Sequence, residues 1–556
     1  MSSASVSFPQ IAPSRARAVG LVVAVFIFFF AAYIFTATGD IFSTGDTTIR
    51  MELAENISGR ASVQLNGWKL QVPHHYKKEW LDPRVSTGVH GDTYSTYLLG
   101  QPLVMIPLDW LGSRLAVDER WPYGVSVAWV DRLVGPLFGA LEVMVFFLFA
   151  MRLGVGLKRS LLVTAIFGFA TSVWPDEQSV LEHTEVAFFL LLGFYFAFRF
   201  KEQGCSWWHL VGAGAGIGGA AITRYQDAFL GAIALGVYLL LPGGRSTIRY
   251  DLQRLLWLLP VGLGLAPFVA TDLWYNWIRF GTMFATGHHE TLFGNSILRG
   301  AAGLLVSPGK GLLWYCPTIF LLVIAAPLFA KRYGALAASF GVLTAGFVLL
   351  YSYVTFWHGD PCWGPRYLYP IVPFLSLPLV ELFRRRLRLA ALVWLLTAVV
   401  VGSSFTIQFS AVTVSQWRTW YRVISYEENQ GYQWQWIASR YRYFWNPHES
   451  PLYLQVHGLY QMAYDSLLQS NKYELVPPDE DPILDGLNTT FAINQWSPWW
   501  ASNEFDWWMG EQKIMLGVIM LVSIMFASGV YIAGEAAGAF AREPTQRRLQ
   551  SMPEAA

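Results

Sequence analysis

The 556-residue sequence has little charge and little cysteine: 14% of residues are Asp, Glu, Lys or Arg, the formal net charge is +1, and there are three cysteines. Near-zero charge excludes a general polyanion binder, because a nucleic-acid surface needs concentrated positive charge. Cys205, Cys316 and Cys362 are too few and too scattered for a disulfide framework or a thiolate metal site, and they leave the redox compartment open. No short-period repeat and no low-complexity tract is present. Nucleotide fingerprints are missing too. "GAGAGIGGAA" (Gly212 to Ala221) follows no strand and falls inside an apolar run, where small residues serve close helix packing. "SPGKGLL" (Ser307 to Leu313) lacks the spacing and the Ser or Thr of a phosphate loop.

What the chain does have is hydrocarbon. It is 54% hydrophobic and 16% aromatic, with a mean hydropathy of +0.36. That is more apolar surface than a soluble domain of this size would bury, so the expected solvent is a bilayer. The first apolar stretch, after Arg15 and Arg17, is about twenty residues long, enough for a full span, and no small-residue cleavage site follows it. It reads as a retained helix.

Basic residues test the threading, since cytoplasmic loops are enriched in Lys and Arg. They cluster at "MRLGVGLKRS", "FRFK", "GGRSTIRYDLQR", "FAKRYG", "FRRRLR" and "AREPTQRR", every second end of the apolar runs. The alternation closes with about twelve spans and both termini inside, an all-α multi-pass protein of the cell (plasma or inner) membrane. Two long loops then lie outside, about 39–128 and 412–512. The expected organisation is a transmembrane module over 1–411, an outer aromatic-rich segment over 412–512, and a final span with a cytoplasmic tail over 513–556. In the first loop, "YSTYLLGQPLVMIPLDWLG" is apolar but broken by Pro102 and Pro107; counting it as a span would put a basic loop outside, so it is expected to be an interfacial helix. The last loop carries "YQWQW", "SRYRYFW" and "NQWSPWWASNEFDWW", which suit either a surface at the lipid headgroups or a face that stacks on sugar rings.

Ionisable groups gather at the opposite ends of the spans from the basic loops: "TGDIFSTGDTTIRMELAEN", "WPDEQSVLEHTE", "TRYQD", "YNWIRFGTMFATGHHE" and "WHGDPCWGPRY". Such groups are costly at membrane depth and tend to face a cavity or one another, so their convergence predicts a polar site at the outer boundary. In this order, and with "SPGKGLLWYCP" between the last two, these stretches resemble the membrane-embedded GT-C glycosyltransferases that use polyprenyl-phosphate sugars, a set that includes protein O-mannosyltransferases and aminoarabinose transferases. The resemblance covers most of the chain. It implies a GT-C-like fold and transfer of a sugar from a polyprenyl-phosphate donor to a glycan, lipid or protein hydroxyl. It also implies an acidic base in the first outer loop, which fits Asp46, with Asp40 second. The tandem acidic pair of many members is absent, Asp40 and Asp46 being six apart.

The chemistry asks for these residue types. An acceptor hydroxyl must lose a proton while a phosphate leaves with its charge, so a carboxylate is needed at one oxygen and cations at the other. Asp46 supplies the first, although an Asp at this position also makes a good helix cap. Arg366 supplies the second by a two-point grip and Lys310 as a point charge, with Arg224 and His358 in reserve. Snorkelling to the headgroups is the plainer reading of Arg366, and an interfacial hydrogen bond that of His358. Asp360 is placed to orient His358 or Arg366, and Trp363, Pro365 and Tyr367 to hold Arg366. Glu182 and Glu185 would bind acceptor sugar or a divalent metal, but two carboxylates do not define a metal site. A transporter or lipid flippase would need polar residues near the midplane of broken helices and two similar halves, and neither is visible. A receptor or scaffold would leave the acidic first loop unexplained.

Overall fold

The computed structural model describes residues 15–38, 45–65, 84–115, 130–242, 252–287, 293–359, 362–384, 390–415, 443–468, 498–501 and 511–550. The helices in these regions are α1 (Arg15–Thr36), α2 (Gly45–Arg60), α3 (Gly100–Leu115), α4 (Val134–Arg152), α5 (Leu157–Phe169), α6 (His183–Gln203), α7 (Trp208–Thr223), α8 (Tyr225–Leu240), α9 (Leu258–Phe280), α10 (Ile297–Val306), α11 (Leu322–Arg332), α12 (Gly334–Tyr353), α13 (Ala390–Thr413), α14 (Pro451–Leu468) and α15 (Glu511–Gln550), with a few shorter turns between them. The described strands, β1 (Val85–Thr87) and β2 (Thr93–Ser95), form one antiparallel hairpin in the first long loop, Val85 opposite Ser95.

Among the described residues, seven helices are long and apolar enough to cross a membrane: α1, α4, α6, α9, α12, α13 and α15. The other expected spans coincide with shorter or broken pieces. At about 1.5 Å per residue, α5, α7 and α8 fall short of a hydrocarbon core of about 30 Å. The tenth expected span alternates between helix types, 3₁₀ over Arg366–Ile371, α over Val372–Ser376, 3₁₀ over Leu377–Leu379 and α over Val380–Arg384. Pro370, Pro373 and Pro378 each lack the N–H that a regular ladder needs, which accounts for the interruptions. The first-loop segment forms α3 with Pro107 inside it, packed on α2.

Helices α4 and α6 are the inner pair and α9, α13 and α15 the outer ones. Phe146 of α4 stacks on Phe167 of α5 at 4.1 Å, and Phe194, Phe340 and Phe374 tie α6, α12 and the broken tenth segment together. The outer helices expose Leu259, Leu263, Leu395 and Phe526, side chains that suit lipid and would be a liability in water. The glycine run of α7 lets α9 approach closely: a Cβ on Gly214 would sit 1.9 Å from the Val261 carbonyl oxygen. Packing is therefore its function, as the sequence suggested.

Part of the last long loop takes a role that the sequence does not predict. Trp499 and Trp500 donate their indole N–H groups to the Ile34 and Phe35 carbonyls at 2.9 and 2.8 Å, closing the end of α1. Helix ends leave carbonyls without partners, and at the edge of a bilayer water is a poor substitute. Replacing both indoles by Phe keeps the rings and removes the bonds, so the double variant should lose about 1 to 3 kcal/mol of stability. Thermal unfolding in detergent measures it, and an unshifted midpoint would remove the capping role. Residues 416–442 and 469–497, with Trp434 among them, lie outside the described residues.

Candidate active site

The polar site is assembled where α2, the turn before α6, the α7–α8 junction, the end of α12 and the 310 and 366 segments meet. Asp46 is the second residue of α2 rather than its cap; in this first turn a carboxylate complements the positive end of the helix. Four residues on, and so on the same face, stands Arg50. Arg50 is buried, its Nη2 lies 2.6 Å from Glu182 Oε2, and its guanidinium lies 4.1 Å from the centre of the Tyr97 ring. Its Nη1 has no hydrogen-bond partner among the described residues.

Glu182 sits just before α6, between two arginines. Its second oxygen accepts from Arg224 Nη1 at 2.9 Å. Burial alone would push this carboxyl up, but Arg50 and Arg224 hold it well below the usual carboxylate range. Arg224 occupies the break between α7 and α8, with an extended backbone (φ −150°, ψ 98°) that ends one helix and starts the next. All arms of its fork are engaged. Nη1 also meets His183 Nε2 at 2.8 Å, Nη2 donates to the Tyr351 hydroxyl at 2.9 Å, and Nε lies 3.0 Å from Asp227 Oδ2. Tyr351 in turn donates to Asp227 and stacks flat on Tyr367 at 4.7 Å.

Arg366 reaches the cluster from the other side. Its guanidinium is 5.1 Å from the Tyr367 ring, Nη2 is 3.4 Å from that hydroxyl, and Nη1 is 4.0 Å from Asp46 Oδ2. Tyr367 thus holds Arg366 as expected. Trp363 does not: it packs edge-on against Tyr315 and donates to Gln408. Gly359, at φ +69°, makes room for Arg366, since a Cβ there would sit 2.8 Å from its Nε. Lys310 is fully buried and donates to the Cys362 carbonyl at 2.7 Å. Asp176 lies in the field of both cations; burial pushes its carboxyl up to about 8, with Arg366 opposing, Glu182 adding to the rise and Lys310 opposing again.

The remaining sequence candidates divide. His358 stacks on Phe444 at 5.0 Å, so the segment after residue 442 covers it. Glu185 is buried on α6 one turn inside Glu182. Asp40 and Asp360 lie outside the described residues. Among the described residues no three His, Cys, Asp or Glu side chains come together in a group that could hold a metal ion. Sequence reasoning missed Arg50, Asp176, His183, Asp227 and Tyr351. Two of these had a signal in their spacing, Arg50 four residues after Asp46 and Asp227 three after Arg224; Tyr351, at the end of an apolar helix, had none.

No family model and no curated protein matches the chain. Among solved structures, it is similar to ArnT from Cupriavidus metallidurans in the apo state, with 16% identity over 93% of this chain and 78% of that one and a TM-score of 0.46. The same protein bound to undecaprenyl phosphate gives 14% identity, 95% and 79% coverage and a TM-score of 0.42. The archaeal oligosaccharyltransferase AglB from Archaeoglobus fulgidus, in complex with an inhibitory peptide and a dolichol-phosphate, gives 12% identity, 72% and 56% coverage and a TM-score of 0.42.

Proposed function

We propose that this chain is an integral-membrane glycosyltransferase that moves a sugar from a polyprenyl-phosphate donor to an acceptor hydroxyl of a glycan, lipid or protein at the outer face of the membrane. One observation carries the reading. In a cluster whose other ion pairs close at 2.6 to 3.0 Å, Asp46 and Arg366 stand 4.0 Å apart, with Asp46 the most exposed carboxylate of the set. A carboxylate and a guanidinium held near each other without full contact can be parted by a substrate that brings its own proton donor and its own anion.

The roles follow from what each group has left to give. Asp46 takes the proton of the acceptor hydroxyl, with Asp40 as the alternative base. The acceptor oxygen forms its bond to the anomeric carbon as the bond from that carbon to the phosphate oxygen breaks and its electron pair stays with the phosphate. Arg366 and Lys310 receive the developing charge, joined by Arg50 through its unpartnered Nη1. Arg224, with every arm engaged, braces the site together with Glu182. His358 is the rim residue, with Asp360 expected from the sequence to orient it or Arg366, and Glu185 belongs to the acceptor side. The twelve-span threading, with both termini inside, rests on the basic loops.

Purified protein incubated with radiolabelled polyprenyl-phosphate sugars tests the activity: transfer supports it, and translocation without transfer would make the protein a flippase. Within that assay Arg366 is diagnostic. Arg366→Ala should lower the turnover rate as well as weaken donor binding, because the contact strengthens as the phosphate leaves. Arg366→Lys should recover only part, with a deficit of about 1 to 3 kcal/mol from the lost two-point contact. A silent Arg366→Lys would mean that the side chain merely reaches the headgroups.

A further inference from the structure

We propose that Arg279, at the end of α9, positions the first-loop half of the site by gripping the peptide carbonyls on either side of Thr96. The proposal rests on the reading of Asp46 and Arg50 as working residues. Arg279 is fully buried. Its Nη1 donates to the carbonyls of Ser95 and Tyr97, the latter at 3.3 Å, and Nη2 donates to Asn276 Oδ1 at 2.6 Å. The guanidinium lies 3.7 Å over the Tyr275 ring and 4.8 Å from Phe280. Its own carbonyl accepts from Val89 N at 3.2 Å. Among the described residues it makes no ion pair. A buried cation answered by carbonyl dipoles and a ring is a costly arrangement, and this one is built around a single stretch of backbone.

That stretch leads straight to the site. The β1–β2 hairpin has three paired positions and would be marginal by itself, so its placement depends on what holds it. Arg279 holds both of its ends, Val89 at the turn and Ser95 at the close. Two residues after Ser95, Tyr97 lays its ring under Arg50, and its hydroxyl lies in the field of the Asp46 carboxylate. The linkage therefore runs from the α9 guanidinium through residues 95–97 and the Tyr97 ring to the first two turns of α2. Arg366 and Lys310 lie on other elements and are not part of it. Loss of the grip should misplace the base together with Arg50, whose contact is made as charge develops on the leaving phosphate, and leave the Arg366 and Lys310 contacts to the bound donor in position. A displacement of about 1 Å in a reacting group costs on the order of a hundredfold in rate. Lys substitutes poorly, because an ammonium that takes the place of Nη1 at the two carbonyls leaves Asn276 without the Nη2 donor and has no planar face to lay on the Tyr275 ring.

The experiment uses the full chain in lipid nanodiscs with the variants Arg279→Lys, Tyr97→Leu, Tyr97→Phe and the Arg279→Lys/Tyr97→Leu pair. Each of the first two should lower kcat about tenfold or more with donor KM within about twofold, and the pair should be no worse than the poorer single variant, as for residues acting through one element. Tyr97→Phe, which keeps the ring under Arg50, should retain more of kcat than Tyr97→Leu. Multiplied losses in the pair, or a raised KM with normal kcat, would overturn the proposal. Hydrogen exchange measured without donor should be faster over residues 45–60 in Arg279→Lys and in Tyr97→Leu, and unchanged exchange there would overturn it as well. If Arg279→Lys fails to insert, the comparison of Tyr97→Leu with Tyr97→Phe carries both readouts. An intact protein that transfers no sugar would instead defeat the transferase reading, and the exchange result would still decide the role of Arg279.

Discussion

Asp46→Asn should lower sugar transfer by about 10² to 10⁴-fold, the range expected when a general base is removed, while donor binding stays close to normal. The amide has the size of the carboxylate and presents an oxygen to Arg366 as before, but it cannot take a proton. What remains is the stabilisation of the leaving phosphate by the cations, so a residual rate above background is expected. Single-turnover transfer with a labelled donor measures the loss, and co-purification of the labelled lipid measures binding. Near-normal turnover would move the role to Asp40 or Asp92. Of these, Asp92 is the weaker choice, because its Oδ2 accepts a 2.8 Å bond from Gln64 in the hairpin region.

The second large effect is on stability. Glu182→Ala should cost about 3 to 5 kcal/mol, since it leaves two buried guanidiniums facing each other without the carboxylate that reconciles them. Glu182→Gln should recover little, because it restores one acceptor oxygen and no charge. The pH dependence has a definite sign. A carboxyl held lower in the folded state than in the unfolded state contributes stability that is fully present above its unfolded value, about 4.3. That contribution is lost as pH falls through the folded value, which for Glu182 is well below the usual range. Wild-type protein should therefore keep this term down to strongly acidic pH, and the gap between wild type and Glu182→Ala should narrow only there. Unfolding midpoints across a pH series check both statements; a gap below about 1 kcal/mol near neutral pH would mean that the pairs are dispensable.

What the sequence revealed depended on the range of the interaction. Apolar runs are local, so hydropathy located the apolar helices but not their lengths: α5, α7 and α8 are shorter than full spans, and the Pro370, Pro373 and Pro378 interruptions turned the tenth expected span into alternating short pieces. Residues with ionisable neighbours, such as Arg366 and Glu182, were visible as site candidates, and Lys310 stood out as a lone cation in an apolar stretch. Their partners were not. Tyr351 is 127 residues from Arg224 and lies in a run of hydrocarbon, where nothing local distinguishes a ring that packs from a hydroxyl that pairs. Trp499 and Trp500 erred in the opposite direction. Their density suggested a membrane or sugar surface, and the carbonyls they serve lie 465 residues earlier in the chain.

The run Arg50, Glu182, Arg224, Asp227 alternates in sign, and each inner member answers two neighbours. Such a chain resists gradual divergence. Any one substitution strands a charge of the opposite sign inside the protein, so each intermediate on the way to a new combination is less fit than either end. The four positions should accordingly be inherited as a block, retained together or exchanged together for an uncharged set, while Arg366 and Asp46, joined loosely at 4.0 Å, are constrained by the reaction they serve and not by each other.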